Sequence, residues 1–396
     1  MPELLTELII DILSRLPVKS LLRFRSVSKP WYALIDGPDF IKMHLKQSII
    51  NSTSLLLATK GALYSYPFAL IEQSDSLNSP FEICPPHKID CVVSFCNGLL
   101  LLTTHVGICL FNPWTRKCRP LPVMIYFGLP LKLFGLGFDS ISDDYKVIAI
   151  LQYKTRCLTI VYSLKPNSWR MARDCPYYLP RERIFSVYVK GALHMALRRN
   201  FDEDSTCVIA AFDVGAEKFR LVPQPEFSDK NVLDMNVVVL GGCLCVVVAC
   251  RKRRVEIWVM KEYGITESWA NLTSVALMFD ESNVRLQLNP LAYSRSGDQV
   301  LQNHNNTRLH WYDLVKREFR NVKVCGLPSW LYAGVCVESL VSLKGYGEES
   351  GTVNEESFSH YATLSPTGKP RLDEGMATQI DHFLLLLPVP EDNVKV

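Results

Sequence analysis

Several features that would announce a function are missing from this chain. No apolar run reaches the roughly 20 residues a membrane-spanning helix needs; the longest, Val237 to Cys250, is split by Gly241-Gly242 and predicts two buried strands around a tight turn. Neither sign of charge dominates. With 43 Lys and Arg against 40 Asp and Glu, the formal net charge is +3, too small for the whole-molecule field to draw in nucleic acid or an anionic membrane. G-x-S-x-G, H-E-x-x-H and G-x-x-x-x-G-K are absent, Gly135-Leu136-Gly137 lacks the third glycine of a dinucleotide loop, and the eight histidines stand at no metal-ligand spacing. No enzyme activity, cofactor or metal is expected.

The thirteen cysteines contain no C-x-x-C pair and sit in apolar runs such as "GGCLCVVVAC", where cysteine behaves as a small buried hydrophobe. An odd, scattered set in a long chain points to a reducing compartment. The start, "MPELLTELIID", is acidic and amphipathic rather than a basic segment followed by an apolar block and a cleavage site. A cytoplasmic or nuclear location is therefore expected, and the triplets at Asn51, Asn271 and Asn305 that fit the glycosylation pattern are read as chance matches.

What is present divides the chain in two. From Pro2 to Leu16, Leu4, Leu5, Leu8, Ile9, Ile12, Leu13 and Leu16 recur at helical spacing, with Pro2 suited to a first turn and Pro17 as a stop. A second helix is predicted over Lys19 to Arg25, and a third is capped by Ser28 with Pro30 in its first turn. Gly37-Pro38 ends the third, and a fourth helical turn or two is expected over Asp39 to Leu45. A module of about 48 residues is marginal on its own. Its surplus of apolar residues predicts that it docks on another protein.

Pro2, the Ile12-Leu13 pair, Leu16-Pro17, "SLLRFRSVSK", Trp31 and "DGPDFIKMHL" fall in the order and spacing of the F-box, which this module resembles, with Met1 where the family has leucine. The resemblance implies binding to the adaptor Skp1, and through it to a cullin, by Pro2, Leu4, Leu5, Leu8, Ile9, Ile12, Leu13, Leu16, Pro17, Leu21, Val27 and Trp31. Leu13→Arg, or Pro17→Ala with Leu16→Ala, is then expected to abolish adaptor binding without unfolding the C-terminal domain.

After Lys46 the pattern turns to short β-rich runs between Gly, Pro, Asn and Asp. Four segments align without gaps: "LFNPWTRKCR" from Leu110, "VYSLKPNSWR" from Val161, "AFDVGAEKFR" from Ala211 and "WYDLVKREFR" from Trp311. Each reads as strand, polar turn, strand. A fifth copy starts at Ile257, so the leading aromatics Phe111, Tyr162, Phe212, Trp258 and Tyr312 are spaced by 51, 50, 46 and 54 residues. That period is kelch-like and predicts a propeller of five or six blades, each outer hairpin packing its aromatics against the next blade. "SLLLATKGALYSY" from Ser54 and "ESLVSLKGY" from Glu338 are the expected extra or closing pieces.

"SFCNGLLLL", "LFNPWTRKCRPLP", "GLGFDSISDDYKV", "VEIWVMKEYGITESW", "PLAYSRSGDQVL" and "LHWYDL" make this region resemble the plant F-box-associated interaction domain. Together the resemblances divide the chain into an all-α F-box at 1–48 and an all-β propeller-like substrate-binding domain at 49–345, and the Gly, Ser, Glu and Thr content that follows predicts a flexible tail at 346–396 with the apolar end "HFLLLLPVP". They imply a substrate receptor of a Skp1-cullin-F-box ubiquitin ligase, with a protein substrate such as an immune receptor. The loops Ile71 to Asp90, Cys175 to Arg183, Arg198 to Ser205 and Phe279 to Asn289 are expected to carry specificity.

A propeller enzyme would need convergent carboxylates, histidines or a metal near the axis, and a ligase-independent scaffold would share this sequence. Asp139, Asp143 and Asp144 are read as a solvated turn rather than an acid–base pair. Arg251 to Arg254 is read as a hairpin tip, with nuclear import or contact to an acidic partner as weaker readings.

Overall fold

The computed structural model describes residues 6–344 apart from 52, 75, 79, 123–130, 154–155, 181–184, 202–205, 228–231, 251–253, 277–287, 328 and 331. Pro2, Leu4, Leu5 and the C-terminal tail lie outside the described residues.

Four helices come first: α1 (Thr6–Ser14), α2 (Val18–Phe24), α3 (Lys29–Ile35) and α4 (Pro38–Asn51). Pro17 separates α1 from α2, and the Ser28 hydroxyl caps α3 by accepting the Trp31 N–H at 3.3 Å. Leu13, Val18, Leu21, Ile35 and Phe40 close a small core, with Phe24 and Trp31 edge to face at 5.4 Å. α4 runs six residues past the expected Leu45, because nothing between Lys46 and Asn51 breaks a helix. Its buried His44 donates from Nε2 to the Leu16 carbonyl at 2.9 Å, tying α4 to the end of α1.

The strands then form a six-bladed propeller. From the axis outward, blade 2 is Ile89–Cys96, Leu99–Thr104, Gly107–Asn112 and Lys117–Pro120. Blade 3 runs from Leu131–Asp139 to Ser168–Met171, blade 4 from Val187–Val189 to Lys218–Val222, blade 5 from Val232–Leu240 to Trp269–Ala276, and blade 6 from Leu288–Tyr293 to Phe319–Val324. Blade 1 closes the ring. Its Thr53–Ala58, Leu63–Pro67 and Phe81–Ile83 are joined on the inside by Tyr332–Val337, paired from Thr53 with Val337 to Ala58 with Tyr332. The closing strand is thus upstream of "ESLVSLKGY", whose Glu338 and Leu340 meet the helical module while Val341 and Leu343 pack between blades 2 and 3.

The repeat read in the sequence is the third-to-fourth hairpin of each blade. Tyr162 pairs with Trp169, Phe212 with Phe219 and Tyr312 with Phe319 across it, at ring distances of 5.2, 4.9 and 4.8 Å. After the aromatic, Asn112, Asp213 and Asp313 accept two backbone N–H groups each with one side-chain oxygen, which fixes the turn. Four residues on, Arg116, Asn167, Glu217 and Arg317 take positive φ to bring the chain back. Phe111, Tyr162 and Phe212 face the preceding blade, not the next one as expected.

Tyr162 is fully buried between blades 2 and 3 and donates to Asn167 Oδ1 at 2.8 Å. Tyr162→Ala is expected to cost about 3–5 kcal/mol, measured as a lowered denaturation midpoint. The two-residue turns Asn97-Gly98, Lys190-Gly191 and Gly241-Gly242 join the first and second strands of blades 2, 4 and 5, with positive φ at both positions.

Candidate functional site

Because strands alternate in direction, the first-to-second and third-to-fourth turns of blades 2 to 6 share one rim. The strand ends that lead into the second-to-third turns and the blade-to-blade connections lie at the other. Strand Thr53–Ala58 begins and Tyr332–Val337 ends at the first rim, so the helical module sits there. Lys42 of α4 reaches Asp143 at 2.9 Å, and Lys19 of α2 and Arg116 both lie over the Phe81 ring. Trp114, half-buried, packs against the helical core.

The module's apolar residues divide into two sets. Leu13 and Leu21, both expected to face an adaptor, are 2% and 0% exposed and belong to the module's own core. They lie under the surface, and Leu13→Arg tests folding rather than docking. Leu8 and Ile12, one helical turn apart on α1, are 50% and 54% exposed, and Val27 is 63% exposed. Pro17 is also exposed, while Ile9, Leu16 and Trp31 are half-buried. Tyr32, which the sequence pattern did not single out, is exposed beside the Arg25 guanidinium.

The axis of the propeller holds a channel of about 1080 Å³ lined mainly by inner strands, with Val93, Phe95, Val238, Leu291, Tyr332 and Val335 on its wall. Ile49 and Ile50 at the end of α4 stand at the mouth nearer the helices. Asn236 and Asn289 bridge blades 5 and 6 there, Nδ2 to Oδ1 at 3.2 Å.

Of the segments expected to carry specificity, the one from Ile71 to Asp90 is largely structured. It holds the end of helix α5 (Phe68–Gln73), strand Ser76–Leu77 along the outer edge of blade 6 and strand Phe81–Ile83 of blade 1. Tyr177, Tyr178, Arg199 and Phe201 stand at the far rim. There Tyr178 pairs with Arg198 through both backbone hydrogen bonds and meets the exposed Phe201 ring at 5.7 Å. Residues 279–287 and 251–253 lie outside the described set; Arg254 opens a blade 5 strand and is exposed.

The acidic cluster is structural, and only Asp143 behaves as the solvated turn residue expected of all three. Asp139 is buried: its Oδ1 accepts the Ile141 and Ser142 N–H groups, and its Oδ2 lies 2.8 Å from Lys146 Nζ. Lys146 also reaches Glu217 at 2.9 Å and the Val214 carbonyl at 3.1 Å, so this cluster ties blade 3 to blade 4, and Arg170 pairs with Glu217 as well. Burial alone would raise the Asp139 pKa, but the ammonium of Lys146, the Ser142 hydroxyl and the two amides outweigh it and hold it at about 2. Asp144 is buried, which pushes its carboxyl up, and it accepts the Lys165 N–H at 3.1 Å.

Sequence reading missed this ion cluster: Lys146 and Glu217 stand in two separate signature segments 71 residues apart, and nothing in either segment points to the other. His194 was missed as well. It is fully buried, its Nε2 is 2.6 Å from the Tyr263 hydroxyl, and burial together with the nearby Arg220 lowers its pKa to about 4. Among the described residues, no group of three or more His, Cys, Asp or Glu is placed to hold a metal ion, and no helix is long and apolar enough to cross a membrane.

Comparison with known proteins matches residues 1–43 to the F-box domain and residues 54–343 to the F-box associated beta propeller domain. The F-box protein CPR1 of Arabidopsis thaliana is 33% identical over 367 residues, covering 85% of this chain and 88% of that protein. A second Arabidopsis F-box protein is 30% identical over 86% of this chain and 90% of its own length, and an Arabidopsis F-box/kelch-repeat protein is 27% identical over 77% and 89%. A helical F-box seated on one rim of a six-bladed propeller, with both domain models matched in order along the chain, places this protein in the family of F-box proteins that carry an F-box associated beta propeller domain.

Proposed function

We propose that this chain is the substrate receptor of a Skp1-cullin-F-box ubiquitin ligase. Leu8, Ile12, Val27 and Tyr32 form the exposed part of the adaptor-docking face, with Ile9, Leu16, Pro17 and Trp31 at its margins and Leu13 and Leu21 bracing it from below. The observation that carries this reading is that the module's own core is already closed while two α1 side chains on one helical face remain half exposed. Such a face on a folded module is an interaction surface.

The substrate is held at the opposite rim, by the far-rim ends of the blade connections and the turn around Arg198. Strands of six to eight residues separate the two rims by about 20–25 Å. The chain then contributes proximity: it holds substrate lysines near a loaded conjugating enzyme, and no bond is made by its own side chains. An immune receptor, the substrate class implied by the family resemblance, is the first to test, in the cytoplasm or nucleus.

Co-expression with Skp1 and a cullin tests the reading. The expected result is a stoichiometric complex and at least one prey protein that accumulates in it when the proteasome is inhibited. A chain that stays folded and recovers neither Skp1 nor cullin would overturn it.

A further inference from the structure

The F-box and the propeller are joined covalently by residue 52 alone, between Asn51 of α4 and Thr53 of the first strand. A single covalent joint leaves a rotation open, and relative motion is the default for two domains whose interface is small. A second attachment exists, built from the residues that follow the closing strand. After the closing strand ends at Val337, the backbone leaves the sheet and runs between the F-box and blades 2 and 3.

Every step of this segment is held. The Val337 carbonyl accepts the Trp114 indole N–H at 2.8 Å, and the Glu338 carboxylate accepts the Val18 N–H at the start of α2 at 2.9 Å. Asn112 Nδ2 donates to the Ser339 and Val341 carbonyls, both at 3.0 Å, and Arg119 donates to the Leu343 carbonyl at 2.7 Å. Leu340, 7% exposed, is part of the F-box core beside Leu13 and Leu21, whereas Val341 and Leu343 enter the core between blades 2 and 3. Residue 98 must be glycine for this path: a Cβ there would stand 2.3 Å from the Ser339 Cβ, on a backbone with φ of +80°.

Consecutive residues therefore belong to two different cores, and both ends of the propeller chain are anchored at the F-box. We infer that Val337–Leu343 is a positioning clip that turns the F-box and the propeller into one rigid body. It thereby fixes the direction in which a substrate on the far rim is presented to the ligase. Leu340 and Glu338 are its positioning residues on the F-box side, and Trp114 and Asn112 on the propeller side. The presentation part of this inference rests on the receptor reading above; the rigid-body part does not.

The test uses the full chain in four forms: wild type, Leu340→Ala, a six-residue Gly-Ser insertion after Asn51, and the two changes combined. Hydrogen exchange at the α2 amides reads the clip directly. Self-modification in a reconstituted Skp1-cullin ligase reads presentation, through which of the chain's own lysines acquire ubiquitin. The insertion alone is expected to leave both readouts at wild-type values, because the clip still holds. Leu340→Ala is expected to raise α2 exchange at least 10-fold, and the combined form to spread ubiquitin onto lysines untouched in the wild type, with exchange in the blade 4 strands unchanged.

If Leu340→Ala unfolds the F-box outright, Glu338→Gln with Trp114→Phe in the insertion background decides, since that pair leaves Leu340 and the other fully buried residues of the F-box core in place. Wild-type exchange in the combined form, or in this pair if it is needed, overturns the clip. An unchanged lysine pattern alongside raised exchange overturns its presenting role. Failure of the wild-type chain to bind Skp1 overturns the receptor reading and, with it, the presenting role, leaving the exchange measurement to judge the clip itself.

Discussion

Leu8→Asp combined with Ile12→Asp is expected to weaken adaptor binding by about 100- to 1000-fold, as two central contacts of about 2 kcal/mol each would. Both side chains are about half exposed in the free chain, so a carboxylate at either position stays solvated and folding stability changes little. On docking the same carboxylates are driven into an apolar contact without partners, and the cost falls on binding alone. Titration calorimetry against Skp1, with a parallel thermal unfolding curve, separates the two. Leu13→Arg is the contrasting variant. It places a guanidinium in a core closed by Val18, Leu21, Ile35, Phe40 and Leu340, and is expected to abolish the helical signal of the module together with binding. If Leu8→Asp with Ile12→Asp binds Skp1 as tightly as the wild type, the docking face lies elsewhere on the module.

The difference between those two variants marks where the sequence stops being legible. Helical spacing identifies Leu8, Ile12 and Leu13 as equally apolar, and nothing in a one-dimensional pattern says which of them the chain covers for itself. Leu13 is covered partly by Leu340, more than 300 residues away, a contact that no periodicity announces. The excess of apolar residues in the first 48 positions thus divides in two: side chains left exposed, Leu8 and Ile12 among them, and side chains that share a core with Leu340 from beyond the closing strand.

The propeller was more legible because its signal is repeated. One aromatic, one Asx turn and one positive-φ return recur at the same offsets, so each copy supports the others, and the two-residue turns carry their own glycine signature. The closing strand escaped because Tyr332–Val337 stands outside the repeat and "ESLVSLKGY" looks equally strand-like. Only the pairing with Thr53–Ala58 and the departure of Glu338 toward α2 separate them. The ion cluster escaped for the opposite reason: Asp139 and Lys146 lie in one quoted segment and Glu217 in another, and no one-dimensional pattern joins the two segments.

That ion cluster carries an expected effect on stability as large as that of the buried Tyr162. Lys146 is 8% exposed at its side chain and neutralises Asp139 and Glu217, themselves 4% and 14% exposed. Lys146→Met keeps the apolar stem and removes the charge. Arg170 still pairs with Glu217, but Asp139 is left as a buried carboxylate supported only by Ser142 and two amides, and the cost is expected to be about 3–5 kcal/mol at pH 7.

The pH dependence distinguishes this from a simple packing loss. In the wild type, the Asp139 pKa of about 2 lies below the ordinary carboxylate value of about 3.9, so its contribution is present above that value and drains away as pH falls toward 2. The Lys146 pKa is shifted upward: burial opposes the shift, and the two carboxylates outweigh it, so its contribution persists through neutral pH and is lost only in strong alkali. In Lys146→Met, burial is opposed more weakly at Asp139 and its folded-state pKa rises toward or above the unfolded value. The variant then recovers part of its deficit relative to the wild type between pH 7 and pH 4, and Asp139→Asn added to Lys146→Met recovers part of it at pH 7. Denaturant midpoints of the three proteins across that range make the comparison. A deficit that stays constant with pH would show that Lys146 holds blades 3 and 4 by packing, with its charge contributing nothing.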